Sequence, residues 1–493
     1  MISAFFSRKA IWAFIILVVL GLGIAHFFWA DHFWTQVLVF MQKHFAFTAS
    51  VFAITLALVV VAVSRARNDD ETSVPSAITA VILVIAAAAA VIYGFFFGGY
   101  FQAQKYSAAI ETGSESEIDF TARTPYPVAV RSSQNALGNL TGGEIDNVKY
   151  TASEDGDEYT FLVQDRAFFA GYKAVASLDG SRCDVDQSVA DRRVGGWFGN
   201  KLERLLNKQE RGVYVSASDV YGYCDEDGNP MIVLPLKQVE GLLPSYEVPA
   251  GAAIYNGSTG ELSIDKNVEL GEIPGPVYPQ SIAAEERNSL RATGSWWEYM
   301  RNLVGYNTTD NDGEDPNAGN TSEYGLIDID GEGHYVTPLV SNGGSTAITA
   351  LGIVNYGTNN DGVLNPYQVS VYESAQVSNG QAASVIRATF SNLSWQNGMS
   401  IFEITPTEGN KRVATLGLNQ AIQYRVIFDN ESYCLYDAKG AEISCTNLNE
   451  VGEAEGTAGT IAGIDISTLT DEELINLITG AAAEQSSRLN NQN

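Results

Sequence analysis

The stretch Tyr221-Gly222-Tyr223-Cys224-Asp225-Glu226-Asp227-Gly228-Asn229-Pro230-Met231-Ile232-Val233-Leu234-Pro235-Leu236 decides the reading of this chain. It returns 103 residues later as Tyr324-Gly325-Leu326-Ile327-Asp328-Ile329-Asp330-Gly331-Glu332-Gly333-His334-Tyr335-Val336-Thr337-Pro338-Leu339. Eight of the sixteen positions are identical, in the pattern Y-G-x-x-D-x-D-G-x-x-x-x-V-x-P-L. Self-similarity in fixed order is the mark of a repeated structural unit. Upstream, Gln187-Ser188-Val189-Ala190, Arg192 and Gly195-Gly196-Trp197-Phe198 are matched by Gln280-Ser281-Ile282-Ala283, Arg287 and Gly294-Ser295-Trp296-Trp297. Downstream, Gly251 to Tyr255 resembles Gly352 to Tyr356. Residues 187–265 and 280–360 therefore read as two copies of one α+β module.

Each copy predicts a helix (185–194 or 282–290), a short amphipathic stretch after the tryptophan, and a hairpin with D-x-D-G at its tip. Asp and Gly supply the backbone geometry such a turn needs. Strands at 159–163 and 172–177 are expected to complete the first sheet. Pro235 and Pro338 belong at strand ends or edges, where a missing N–H costs no ladder bond. The recurring Trp197 and Trp296 are expected in the core.

Outward from the repeat, the chain opens on three apolar runs, 10–29, 45–63 and 77–98. Each is about 20 residues, enough for a helix across a ~30 Å hydrocarbon core. Arg8 and Lys9 precede the first run, and Arg65 and Arg67 follow the second. The positive-inside rule then puts the N-terminus in the cytoplasm and everything after Gly99 outside it. The outer loop 30–44 reads as an interfacial amphipathic turn. With no Asp, Glu, Lys or Arg in the runs, anchoring is favoured over transport, and the Ala86–Ala90 stripe over a pathway, as a contact for a second copy.

Charge is distributed very unevenly. The net charge is −29, and residues 1–100 hold five basic and four acidic side chains, so −30 falls on 101–493. A surface that negative repels phosphate backbones, which excludes nucleic acid as a partner.

All four cysteines, Cys183, Cys224, Cys434 and Cys445, lie in the part expected outside, where disulfides persist. Cys434 and Cys445 flank a short turn and are expected to pair, leaving Cys183 with Cys224. Only His334 lies outside the membrane region, so multi-histidine metal sites are excluded there. His334 corresponds to Met231 and is expected to fill a packing position. Asp225, Asp227, Asp328 and Asp330 are the candidate calcium ligands, but the EF-hand register fails around Gly228 and Gly331, which favours plain turns. No Gly-rich phosphate loop, G-x-S-x-G or H-E-x-x-H is present, and neither a cofactor nor a catalytic residue is expected.

The expected organisation is a three-helix transmembrane region (1–100), a stalk (101–142), module 1 (143–265), module 2 (266–362) and a β-rich sandwich or barrel (363–446). A flexible linker (447–469) and an amphipathic C-terminal helix (470–486) follow. The expected function is a non-catalytic, membrane-anchored binding or scaffold protein of a cell-envelope assembly. The alternatives are an envelope hydrolase that uses paired carboxylates and an accessory subunit of a channel or secretion complex.

Overall fold

The computed structural model describes residues 8–67, 73–114, 118–136, 142–153, 156–167, 169–178, 180–308, 322–343, 346–419, 421–447, 460–461 and 464–465. The helix expected at 470–486 and nearly all of the linker expected at 447–469 lie outside them.

The chain begins with α1 (Arg8–Lys43), α2 (Phe45–Arg67) and α3 (Val74–Tyr93); α3 continues through a π-helical turn, Gly94–Gly98, into α4 (Gly99–Ser107). Two helical stretches are long and apolar enough to cross a bilayer: Phe45–Arg65, of 21 residues, and Val74–Ser107, of 34. The latter is about 50 Å long, more than a ~30 Å core, so its last turns are free to pack on the sheets, and Tyr100 and Tyr106 are buried there. The first apolar run lies on α1, where the side chains of 16–24 are exposed and those of 8–15 and 25–31 are outside the described set. The interfacial turn expected at 30–44 is instead the unbroken end of α1. No Gly or Pro interrupts it, and His32, Thr35 and Val39 form a buried stripe at i, i+3 and i+7. His32 Nδ1 lies 2.8 Å from Asn207 Oδ1, and Lys43 pairs with Glu247.

The described residues of 101–142 are woven into the body and do not form a stalk. β1 (Ile110–Ser114) pairs in parallel with residues 367–371, α5 follows at Tyr126–Ala136, and Phe120 and Ala129 are buried. The polar composition of this stretch hid its few buried side chains, which are spaced too irregularly to give a period.

β2 (Gly143–Ser153), β3 (Gly156–Asp165), β4 (Tyr172–Ser177) and β5 (Arg182–Asp184) form a separate four-stranded antiparallel sheet, so 159–163 and 172–177 do not complete the first hairpin's sheet. That sheet contains β6 (Val213–Tyr214), β7 (Tyr221–Cys224), β8 (Pro230–Glu240), β9 (Tyr246–Asn256) and β10 (Leu262–Asp265), in the order β10-β9-β8-β6 with β7 also on β8. The two sheets share one core: Leu162 and Val175 of one pack with Ile232, Leu234 and Ala253 of the other, and α6 (Leu202–Gln209) adds Leu202 and Leu206. Segment 185–194 is turns, not helix. The Asp186 carboxylate accepts the Ser188 N–H and hydroxyl, a local bond that competes with helix propagation.

Next come β11 (Asn267–Val268), α7 (Gln280–Ser289), α8 (Trp296–Arg301), β12 (Tyr306–Thr308), β13 (Tyr324–Ile327), β14 (Gly333–Ser341), β15 (Ile348–Asn355), β16 (Asn359–Asn360) and β17 (Tyr367–Gln376). The six-stranded sheet runs β1-β17-β15-β14-β12, with β13 also on β14. α7 buries Ile282 and Ala283 with Tyr278, Leu339 and Val354.

The two hairpins share a register. Tyr221 faces Val233 and Tyr223 faces Met231, while Tyr324 faces Val336 and Leu326 faces His334. The following strands do not keep the matched spacing: Met231 faces Asn256 and His334 faces Asn355, so Tyr255 stands where Val354 does and not where Tyr356 does. Pro235 and Pro338 sit in mid-strand. On β8 the short partners cover 230–233 and 237–238, and on β14 they cover 333–336 and 339–341, so each proline falls in the gap of an interrupted ladder. A locally unpaired edge tolerates proline as a strand end does. Trp197 is 48% exposed, and Trp296 lies against Phe97 of the π-helical turn, so neither forms a core.

The last unit is α9 (Asn379–Thr389) on an open meander of β18 (Ser400–Pro406), β19 (Arg412–Leu418), β20 (Ala421–Phe428), β21 (Ser432–Asp437) and β22 (Glu442–Asn447). No barrel closes among the described residues. Within the span expected to be β-rich, residues 379–389 form α9, because Ser378 caps it by accepting the Gln381 N–H and Ala382, Ala383, Ile386 and Phe390 bury one face. Cysteines pair as Cys183–Cys224, with Cα atoms 5.9 Å apart, and Cys434–Cys445, at 4.0 Å. The first pair joins β5 to β7, and the second sits directly opposite in β21 and β22.

Candidate functional site

The D-x-D-G tips, where the sequence put its calcium candidates, are self-contained turns. Asp225 Oδ1 accepts the N–H groups of Asp227 at 3.1 Å and Asn229 at 2.6 Å. Asp328 Oδ1 accepts those of Asp330 at 3.0 Å and Glu332 at 2.8 Å. Asp227 and Asp330 are exposed and point to no shared centre. Backbone amides thus already engage one oxygen of Asp225 and one of Asp328.

The second tip adds a group the sequence treated as packing. His334 is buried, with Nε2 2.8 Å from Asp328 Oδ2 and its ring edge-on to Phe120. Asp328, Glu332 and His334 bring one ligand atom each within 4.8 Å of one another. Glu332 also accepts the Asn355 amide at 3.0 Å. These bonds make the trio a histidine–carboxylate clamp that closes the hairpin. Met231, at the same register position in the first hairpin, has no such bond to make.

The more distinctive feature lies at the opposite end of β13, where β2, β3, the start of α7 and the second hairpin meet. A cavity of about 150 Å³ is walled by tyrosines, among them Tyr150, Tyr159, Tyr324 and Tyr356, with Arg123, Lys149, Gln280 and Glu323 as its charged and amide groups. Water has a share of about 30 Å³ in the liquid, so this volume suits a few waters or one small polar molecule. The hydroxyls of Tyr324 and Tyr356 are buried and have no hydrogen-bond partner.

Gln280, at the first position of α7, is the bridge. It accepts from Lys149 Nζ at 2.7 Å and donates to the Glu323 carbonyl at 2.8 Å. Its neighbour Ser281 donates to Asp219 at 2.6 Å and accepts from Lys237 at 3.0 Å. Lys237 in turn holds Glu247, at 2.5 Å, which also pairs with Lys43 at the end of α1. A continuous polar chain therefore runs from the apolar helices to the cavity.

Glu323 is the outstanding member. It is 5% exposed and holds φ of +41°, a left-handed backbone rare outside Gly and Asn. Burial pushes its carboxyl up to about 7, against the pull of Arg287, whose Nη1 lies 2.7 Å away. Burial likewise pulls the Lys149 ammonium below its ordinary value, with Asp219 acting the other way. Both shifts have one physical cause, since burial in this wall disfavours the charged form of each group.

Neither Glu323, Lys149 nor Arg123 is singled out by the sequence, and Gln280 enters there only as part of the repeat match. One signal was available: on the 103-residue offset Glu323 stands where the first hairpin has Val220, which is fully buried. A carboxylate at the position matched by a core valine in the other hairpin demands an explanation. Compared with family models, with curated proteins and with solved structures, the chain matches none.

Proposed function

We propose that this chain is a membrane-anchored extracytoplasmic binding or scaffold protein of a cell-envelope assembly, without catalytic activity. The observation behind this reading is how the apolar helices enter the folded body. The α3–α4 helix runs on without a linker until Tyr100 and Tyr106 are buried, and α1 is fastened by His32 and Lys43. A flexible tether lets a domain sample many orientations, whereas a continuous docked helix fixes height and orientation over the bilayer. That suits a part which holds partners in register.

Support for the topology comes from the basic flanks Arg8, Lys9, Arg65 and Arg67, with 10–29 of α1 as a third span. The two disulfides favour an oxidising compartment for the body. The shared hairpin register favours a duplicated module at 143–265 and 266–362, diverged at Val220/Glu323 and Met231/His334. Other envelope or membrane proteins are the natural partners. Part of the Ala86–Ala90 stripe is used within the chain, since Ser50 Oγ donates to the Ala87 carbonyl, which leaves less of it for a second copy. An accessory subunit of a channel or secretion complex is a special case of the same role. The hydrolase alternative draws on Glu323, but a two-carboxylate mechanism needs a second acid, and among the described residues the cavity wall holds Glu323 alone.

Cross-linking in native membranes, followed by purification in mild detergent, tests the reading. Adducts with other envelope proteins are expected. Recovery of this chain alone would contradict it.

A further inference from the structure

The short helix α8 is held at one level of the long helix. The Trp296 ring stacks on Phe97 at 5.0 Å, and its Nε1 donates to the Phe96 carbonyl at 2.8 Å. Tyr100 donates to the Gly294 carbonyl at 2.9 Å, and its ring lies 5.4 Å from that of Tyr299. A capping box between Ser295 and Glu298 starts the helix. With one face used in this way, the other leaves Trp297 54% exposed, Met300 49% and Leu303 56%.

A second segment reaches the same level. In the loop joining β8 to β9, Leu242 and Leu243 are each 52% exposed. They line a cavity of about 350 Å³ together with Phe45, Val91, Gly94 and Phe95 of the apolar helices. Phe95 is itself 82% exposed. Single exposed apolar residues need no explanation. Five of them, from two unconnected segments that both pack at the level of residues 91–100, gather more exposed apolar surface at one height than water favours.

We propose that this base of the folded body is a lipid-binding surface: Trp297 and Met300 of α8, Leu303 just beyond its end, and Leu242 and Leu243 of the loop, insert into the bilayer leaflet beside α3. The proposal rests on reading α2 and α3 as membrane spans. The occupant is lipid because the loop borders the exposed apolar side of the span through Val91 and Phe95, and α8 lies against Phe96 and Phe97, which follow directly on the same helix. Tryptophan is the side chain that favours the headgroup level. Arg301 stacks over Trp297 at 4.5 Å, so its stem lies along the ring while its charge can reach a lipid phosphate. The body as a whole is strongly acidic, so apolar insertion rather than long-range charge holds it to the membrane. Insertion at two points adds to the hold on orientation that the docked helices already give the body.

The test uses the full chain reconstituted in phosphatidylcholine–phosphatidylglycerol vesicles. All four native cysteines are in disulfides, so single-cysteine variants take a nitroxide label at one site. Met300→Cys and Leu303→Cys probe the surface, Val84→Cys the middle of α3, and Val189→Cys an exposed site on the body. Labels at 300 and 303 are expected to collide severalfold more with oxygen than with an aqueous nickel chelate, as at 84, while 189 shows the reverse. Water-like collisions at 300 and 303 with lipid-like ones at 84 would overturn the insertion and leave the spans standing. Protection from both reagents at 300 and 303 would mean a protein cover, a second copy or a partner, and would also overturn it. Water-like collisions at 84 would remove the span reading itself.

Discussion

Arg123→Met is expected to lower the stability of the body by about 3–5 kcal/mol, the cost of leaving a buried partner charge uncompensated. Arg123 is 4% exposed and pairs with Glu403, 3% exposed, on β18. Its guanidinium also donates to the Gly325 carbonyl and lies 5.3–5.8 Å from the ring centroids of Tyr150, Tyr159 and Tyr324. One side chain thus joins β2, β3, β13 and β18. Glu403→Gln should cost nearly as much, and Arg123→Met/Glu403→Met less than the two singles combined, because the double variant leaves no stranded charge. Thermal unfolding of the detergent-solubilised chain reads this as a drop of roughly 10 °C for each single variant. A single variant within about 1 kcal/mol of the parent would show that the pair is not the junction's fastening.

Removing the Cys183–Cys224 bridge, as Cys183→Ala/Cys224→Ala, is expected to cost about 4 kcal/mol from the chain entropy released to the unfolded state. The residues are 41 apart in sequence, and the bridge is the covalent link between the two sheets of the first sandwich. The Cys434–Cys445 bridge closes only 11 residues between neighbouring strands, so its removal should cost less, about 3 kcal/mol. Denaturant unfolding under oxidising conditions checks the order. Equal losses, or a larger loss at 434/445, would contradict it.

Much of the architecture was legible because it rests on local rules. The disulfide partners followed from a hairpin and elimination, the two apolar helices from length and composition, and the hairpin register from a repeated turn. What failed was tertiary. Arg123 and Phe120 lie in a polar stretch with no period, and their roles depend on strands hundreds of residues away. The helix at 185–194 lost to the Asp186 turn, and α9 formed inside the span read as β-rich behind the Ser378 cap, both cases of one side-chain bond deciding between alternatives. The Trp197/Trp296 correspondence was read as core, although Trp296 has a special neighbour in the π-helical turn and Trp197 stands half exposed. Glu323 was invisible as a site because its importance lies in burial and a left-handed backbone, which composition and spacing do not report.

The central claim is that the apolar helices cross a membrane and hold residues beyond 99 outside the cytoplasm. Labelling with a membrane-impermeant maleimide tests it most directly, using Val74→Cys, 73% exposed at the start of α3, and Ser263→Cys on exposed β10. Intact cells should label position 263 alone, and permeabilised cells both positions. Labelling of 74 but not 263 in intact cells would invert the topology and contradict the account.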